Sequence, residues 1–144
     1  MIYLYHHLGL GDHIICNGLV REIYKIEKEV SLYCKFNNLN NVTYMYRDLK
    51  NLHIIGIKSD QDILVDKNTL KIGFEYVYIF QQYGITWDES FYRQCNINFE
   101  KRWSSFFIEI SMMSPLNNFV QFLLCSFITF NEFVELTTFL QPHL

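Results

Sequence analysis

The stretch His6–Arg21, HHLGLGDHIICNGLVR, concentrates the residues of this chain that could do chemistry. Gly9 and Gly11 stand where a short apolar run ends, and Asp12 and His13 follow at once. Glycines at such a point let the backbone approach a ligand closely. A helix beginning here would present free N–H groups and a positive dipole end, which favour an anion such as a phosphate. Asp12 has two readings. It is a helix cap whose carboxylate accepts a first-turn N–H, or it is a cap that also accepts a proton from a substrate. His13, of a residue type that titrates near neutral pH, is the alternative base. Gly9 and Gly11 have a plainer use as turn formers.

Other chemistries fit less well. The third glycine of a dinucleotide fingerprint would fall at position 14, where Ile14 stands. The second strand ends in Lys35, Phe36 and Asn37, with no acidic residue for a ribose. A nucleotide-dependent oxidoreductase is therefore disfavoured, and the Walker pattern is absent. Cys16, Cys34, Cys95 and Cys125 show no CxxC or CxC spacing, which argues against a zinc cage. His6 and His7 are adjacent, so on a strand their rings point to opposite faces rather than to one metal. No metal and no cofactor is expected.

The elements that must position the glycine turn follow from hydrophobic spacing. Ile2–Tyr5 reads as a buried strand. Ile15, Leu19, Ile23 and Ile26 recur at helical spacing, so a helix runs on from Asp12 with Arg21, Glu22, Lys25 and Lys28 mostly on the other side. Val30–Lys35 and Leu52–Ile57 read as strands, Val42–Asp48 as a short helix with Arg47 and Asp48 as its solvated end, and Ile63–Val65 as a short strand. Leu70–Phe74 and Tyr76–Phe80 have an ambiguous period. Trp87–Gln94 reads as a helix capped by Asp88, and Phe99–Ile108 passes into a strand-like run. Alternating strands and helices of this kind imply an α/β fold, a Rossmann-like parallel sheet with flanking helices. Trp87 and Trp103 could stack on sugar rings, but burial in the core is the expectation.

Composition divides the chain. It has 144 residues, 12 Lys+Arg, 15 Asp+Glu and a formal net charge of −3, with no electrostatic footprint for nucleic acid. Residues 104–144 carry Glu109, Glu132 and Glu135 but no Lys or Arg, unlike an ordinary mixed-charge surface. Within them Phe119–Phe130 is apolar at 9 of its 12 positions and reads as a C-terminal apolar helix. It is too short for a bilayer crossing, which takes about 20 residues, so no transmembrane span is expected. The N-terminus lacks a signal-peptide pattern, so a cytoplasmic location with reduced thiols is expected.

Gly-Leu-Gly-Asp-His followed by an apolar helix ending in Leu-Val-Arg resembles the first loop of GT-B glycosyltransferases, which have two Rossmann domains. The likeness is to heptosyltransferase-like enzymes and to small glycosyltransferase-like proteins of phage and bacterial surface-polysaccharide clusters. Tyr44–Leu49 (YMYRDL), Leu70–Glu75 (LKIGFE), Trp87–Gln94 (WDESFYRQ) and Phe99–Phe107 (FEKRWSSFF) are similar to segments of the latter, in the same order. The resemblance spans about residues 1–108. It implies the acceptor-side domain of an enzyme that moves a sugar from a nucleotide sugar to a saccharide or lipid-linked acceptor. It implies Asp12 as the catalytic base, and Gly9, Leu10 and Gly11 as the substrate-side turn. Arg102 would meet a phosphate, or else a carboxylate in a surface ion pair.

The same resemblance sets the domain expectation: 1–108 as a single GT-B N-terminal half and 109–144 as an apolar, mainly helical tail. GT-B chemistry uses a second, donor-binding domain, for which 144 residues leave no room. The change of composition near residue 108 fits a frameshift or early stop in a longer gene, and equally a divergent C-terminal cap. An acceptor half alone is expected to be inactive unless a partner chain supplies the donor half. The alternative is a non-catalytic Rossmann-like binding or interaction module that self-associates through residues 116–144.

Overall fold

The computed structural model of the chain describes residues 1–27, 29–74 and 82–109. Contacts separate Met1–Glu109 from Ile110–Leu144, and the fold set out below belongs to the first. The readings made for Tyr76–Phe80, Cys125, the C-terminal apolar helix and self-association through 116–144 lie outside the described residues.

Four strands form one parallel sheet: β1 (Ile2–Tyr5), β2 (Val30–Lys35), β3 (Leu52–Ile57) and β4 (Thr69–Lys71). Their spatial order is β3-β2-β1-β4, with Ile2 opposite Val30, Val30 opposite Leu52, and Tyr5 opposite Lys71. With its flanking helices this is a Rossmann-like α/β arrangement. β2 is buried from Val30 to Cys34 and emerges only at Lys35. A strand covered on both faces has no reason to alternate polar and apolar residues, which is why VSLYC reads as a continuous run. Leu4, Leu32 and Cys34 pack with helical residues such as Leu19, Val20 and Phe91. Tyr5, Tyr33 and Ile57, which alternate with them, gather with Leu8 and Ile63. Ile63–Val65 is not a strand. A 3₁₀ turn at Asp60–Asp62, capped reciprocally by Ser59 and Asp62, leads into it, and Leu64 and Val65 are exposed.

The helix read as continuous from Asp12 is two: α1 (Leu10–Ile15) and α2 (Asn17–Ile26), broken at Cys16. The cause is a side chain from far along the sequence. The Tyr92 hydroxyl donates to the Ile15 carbonyl at 2.8 Å and accepts the Leu19 N–H at 3.2 Å. These are the two groups that would bond to each other in an unbroken helix. A polar atom inserted into the i→i−4 ladder is a recognised source of kinks. Tyr92 belongs to α4 (Trp87–Gln94), which begins after Thr86, so Asp88 is a first-turn residue and not the cap.

Arg21 does not face solvent. Its guanidinium is bidentate on Asp48 at 2.7 and 2.9 Å, its Nε donates to Asn17 Oδ1 at 3.1 Å, and the Tyr46 and Phe107 rings lie against it. Asp48 is thus an ion-pair partner, held below the usual carboxylate range first by that hydrogen bond, and not a free helix end. Helix α3 (Leu39–Met45) begins earlier than its reading because the 3₁₀ turn Phe36–Asn38 feeds straight into it. The aromatic run that follows Trp103 is not a strand, and Lys101–Ser104 is a short helix, α5. It meets α2 backbone to backbone: a Cβ on Gly18 would lie 2.2 Å from the Lys101 carbonyl oxygen.

Two substitutions test these joints. Tyr92→Phe removes the hydroxyl and leaves two buried backbone groups unpaired, and is expected to cost about 1–3 kcal/mol in urea denaturation. Gly18→Ala forces α2 and α5 apart and is expected to cost about 1–3 kcal/mol in the same measurement. Wild-type midpoints for either variant would remove that joint as a source of stability.

Candidate functional site

In a parallel sheet ordered 3-2-1-4 the chain reverses its direction of travel between β1 and β4, at the carboxyl ends of those strands. Crevices at such switch points are where open α/β sheets bind ligands. The end of β1 delivers His6, His7, Leu8 and the Gly9–Asp12 turn to this place. The end of β4 delivers Ile72, Gly73 and Phe74.

Gly9 is the residue before α1, with an extended backbone (φ −68°, ψ 150°) open to any residue type. Its lack of a side chain matters for space. A Cβ there would come within 2.6 Å of Asp12 Oδ2. The Asp12 carboxylate folds back over Gly9, where the nearby backbone N–H groups of Gly9 and of Asp12 itself favour its ionised form. Asp12 is therefore the third residue of the helix, lying back over its first turn, rather than the residue before it. Gly11 is exposed, and nothing lies within 4 Å of where its Cβ would be. Leu10 is half-buried and packs against the core.

The Asp12 carboxyl is raised above its ordinary value. Burial does this first, outweighing the opposing pull of His7 and of the two backbone N–H groups. It stays partly open to solvent. A carboxylate of raised pKa that can still be reached is a better proton acceptor than an ordinary aspartate.

His13 is placed differently from its reading as an alternative base. It is wholly buried, and its ring packs edge-on against the equally buried His6, centroids 4.4 Å apart. His6 Nδ1 lies 2.5 Å from the His7 carbonyl oxygen, while His6 Nε2 and both nitrogens of His13 lack a hydrogen-bond partner. Burial pushes His6 down to about 4, and pushes His13 well below its ordinary value with the neighbouring His6 adding to the effect. Both are neutral imidazoles at neutral pH, and His13 is withdrawn from any cleft-bound hydroxyl.

Arg102 forms an ion pair with Asp88 and packs on Trp103 at 4.6 Å, so the carboxylate partner of the two alternatives is the one observed. Asp12 and Arg102 are both felt at the buried Cys16 thiol, which burial raises well above its usual range. Trp87 and Trp103 are 36% and 45% exposed, contrary to the expected burial. Sequence reading also missed the surroundings of His7. Its Nε2–H donates to the Gly73 carbonyl at 3.1 Å, and its ring stacks on Phe74 and Phe91. Gly73 has φ +86°, and a Cβ there would strike the Phe91 ring at 2.4 Å. The pairing of β4 with β1 brings these residues together, and the ambiguous period of Leu70–Phe74 concealed that pairing.

Among the described residues no three His, Cys, Asp or Glu side chains are grouped so as to hold a metal ion, and no helix is long and apolar enough to cross a membrane.

The buried imidazoles set a pH dependence. On unfolding, His6 and His13 return to the ordinary range near 6.5, so below that pH the unfolded chain binds more protons than the folded one. Stability is then expected to fall as pH drops from about 6.5 towards 4, by about 1.4 kcal/mol per pH unit for each histidine. Urea unfolding at pH 7.5, 6 and 5 checks this, and His6→Gln with His13→Gln should flatten the slope. An unchanged slope in the double variant would remove the pair as its source.

No protein-family model, curated protein or solved structure matches the chain.

Proposed function

We propose that residues 1–109 act as the acceptor-side domain of a GT-B-type glycosyltransferase, transferring a sugar from a nucleotide sugar to a saccharide or lipid-linked acceptor. The observation that carries this reading is the Asp12 carboxylate: partly exposed, raised by burial, and set at the carboxyl end of β1 where the sheet order reverses. The likeness of the glycine turn and of four later segments to glycosyltransferases supports it. So does the Rossmann-like sheet on which they lie.

In this reading Asp12 accepts the proton of the acceptor hydroxyl. The hydroxyl oxygen forms a bond to the anomeric carbon of the donor, and the bond from that carbon to the nucleoside diphosphate breaks. His13 takes no part, because it is buried and neutral. Gly9 gives the carboxylate room, and Gly11 leaves the outer face of the turn open to substrate. The donor-binding half comes from outside the described residues.

The test measures transfer or hydrolysis of a panel of labelled nucleotide sugars by the full chain. Asp12→Asn is expected to lower the rate by about 10²–10⁴-fold while the thermal unfolding profile is retained. The wild-type rate should fall as pH drops through a value above the 3.8 of an ordinary aspartate, since only the ionised carboxylate accepts a proton. Undiminished transfer by Asp12→Asn would remove Asp12 as the base. An absence of turnover across the panel, both by the chain alone and with a GT-B donor-binding domain added in trans, would remove the enzymatic reading.

A further inference from the structure

The carboxyl end of the sheet carries an aromatic shelf around His7, the imidazole felt at the Asp12 carboxyl. His7 stacks on Phe74 with centroids 4.6 Å apart and planes 20° apart, and Trp87 lies 5.4 Å from His7. Trp87 also packs edge-on to Phe91 at 4.5 Å. The inner members are pinned. Phe91 is wholly buried and fills the space that Gly73 leaves, and His7 is held by the Gly73 carbonyl. The turn that carries Gly73 is itself fixed by Gln94, whose amide accepts the Gly73 N–H at 2.9 Å and donates to the Lys71 carbonyl at 2.5 Å. The outer members are open: Phe74 is 39% and Trp87 is 36% exposed. Large aromatic rings packed on a pinned inner layer yet left against water present flat apolar faces to a ligand.

We infer that Phe74 and Trp87 together with Asp12 form a subsite for the ring of a neutral saccharide. The C–H face of the sugar lies on the aromatic rings, and a ring hydroxyl donates to the Asp12 carboxylate. The inference rests on the acceptor-side reading above and names the class of that acceptor. Charge makes the choice. An ionised carboxylate accepts hydrogen bonds and cannot donate them, so it matches hydroxyl groups and repels a phosphate. Arg102, the cation that sequence reading put forward for a phosphate, is engaged by Asp88. His7 has its Nε2–H committed to the Gly73 carbonyl. The shelf thus combines stacking surface with a hydrogen-bond acceptor, which a neutral polyhydroxylated ring satisfies and a phosphate does not.

The experiment probes the full chain on an array of neutral glycans and measures the affinity of each hit for wild type and variants by titration calorimetry. Wild-type hits are also followed by fluorescence in a Trp103→Phe background, where Trp87 is the reporter. Saturable binding with a change in Trp87 emission is expected. Trp87→Leu and Phe74→Leu should each weaken it about tenfold, and Trp87→Phe should restore most of the loss. Retained thermal unfolding profiles show that these exposed positions leave the fold intact. An array with no bound glycan overturns the inference. So does equal binding by Trp87→Leu, or quenching by uridine and UDP without any glycan. Trp87-dependent glycan binding in a chain that transfers no sugar would leave the subsite standing and remove the transferase reading alone.

Discussion

The Tyr92 hydroxyl occupies the place of a single backbone hydrogen bond, and the geometry of the N-terminal half depends on it. Between Ile15 and Leu19 the helical ladder opens, and the phenol satisfies both freed groups. The break lets α1 and α2 take separate directions. Helix α1 can then tuck His13 against His6 under the end of β1 and keep the Gly9–Asp12 turn at the mouth of the sheet. Helix α2 can lay Leu19, Val20 and Ile23 on the sheet while bringing Gly18 against α5. Each of these placements would shift if the ladder closed. Burial strengthens the device, since a backbone group left unpaired in the core costs more than one hydrogen bond ordinarily contributes.

The strands were legible in the sequence because their signal is local. Ile2–Tyr5, Val30–Lys35 and Leu52–Ile57 are short apolar runs bounded by polar or turn residues, and the structure has strands at those positions. The helix break was not legible. Nothing in IICNGLV departs from helical spacing, and the interrupting atom comes from a residue 77 positions away from Ile15. Arg21 was misplaced for a related reason. Spacing puts it beside charged neighbours, whereas its carboxylate partner Asp48 and the Phe107 ring come from elsewhere in the chain. Periodicity reports which face a residue occupies, and it does not report whether another element covers that face.

The backbone frame of the candidate site was legible in outline. Two glycines before an acidic residue, after a short strand, put Asp12 on the page, and the structure explains Gly9 as room for the carboxylate rather than as unusual backbone. The pairing of β4 with β1 was hidden because three residues, Thr69–Lys71, are too few to show a period. With that pairing went the aromatic surroundings of His7, and the exposure of Trp87 at the place where the two strand ends meet. His13 illustrates the opposite error. Its residue type suggests chemistry at neutral pH, but complete burial removes both its charge and its access to solvent.

The long reach of Tyr92 orders events in time. A ribosome releases the chain from its first residue, so Leu10–Ile26 leaves 66 residues or more ahead of Tyr92. Throughout that interval nothing competes for the Ile15 carbonyl and the Leu19 N–H, and the helical ladder can close between them. The interruption of the ladder can therefore be set only when α4 arrives and exchanges one internal hydrogen bond for two external ones. The helix interruption that separates the Asp12 turn from α2 is thus completed by the last of these elements to be made, not by the strand and turn that are made first.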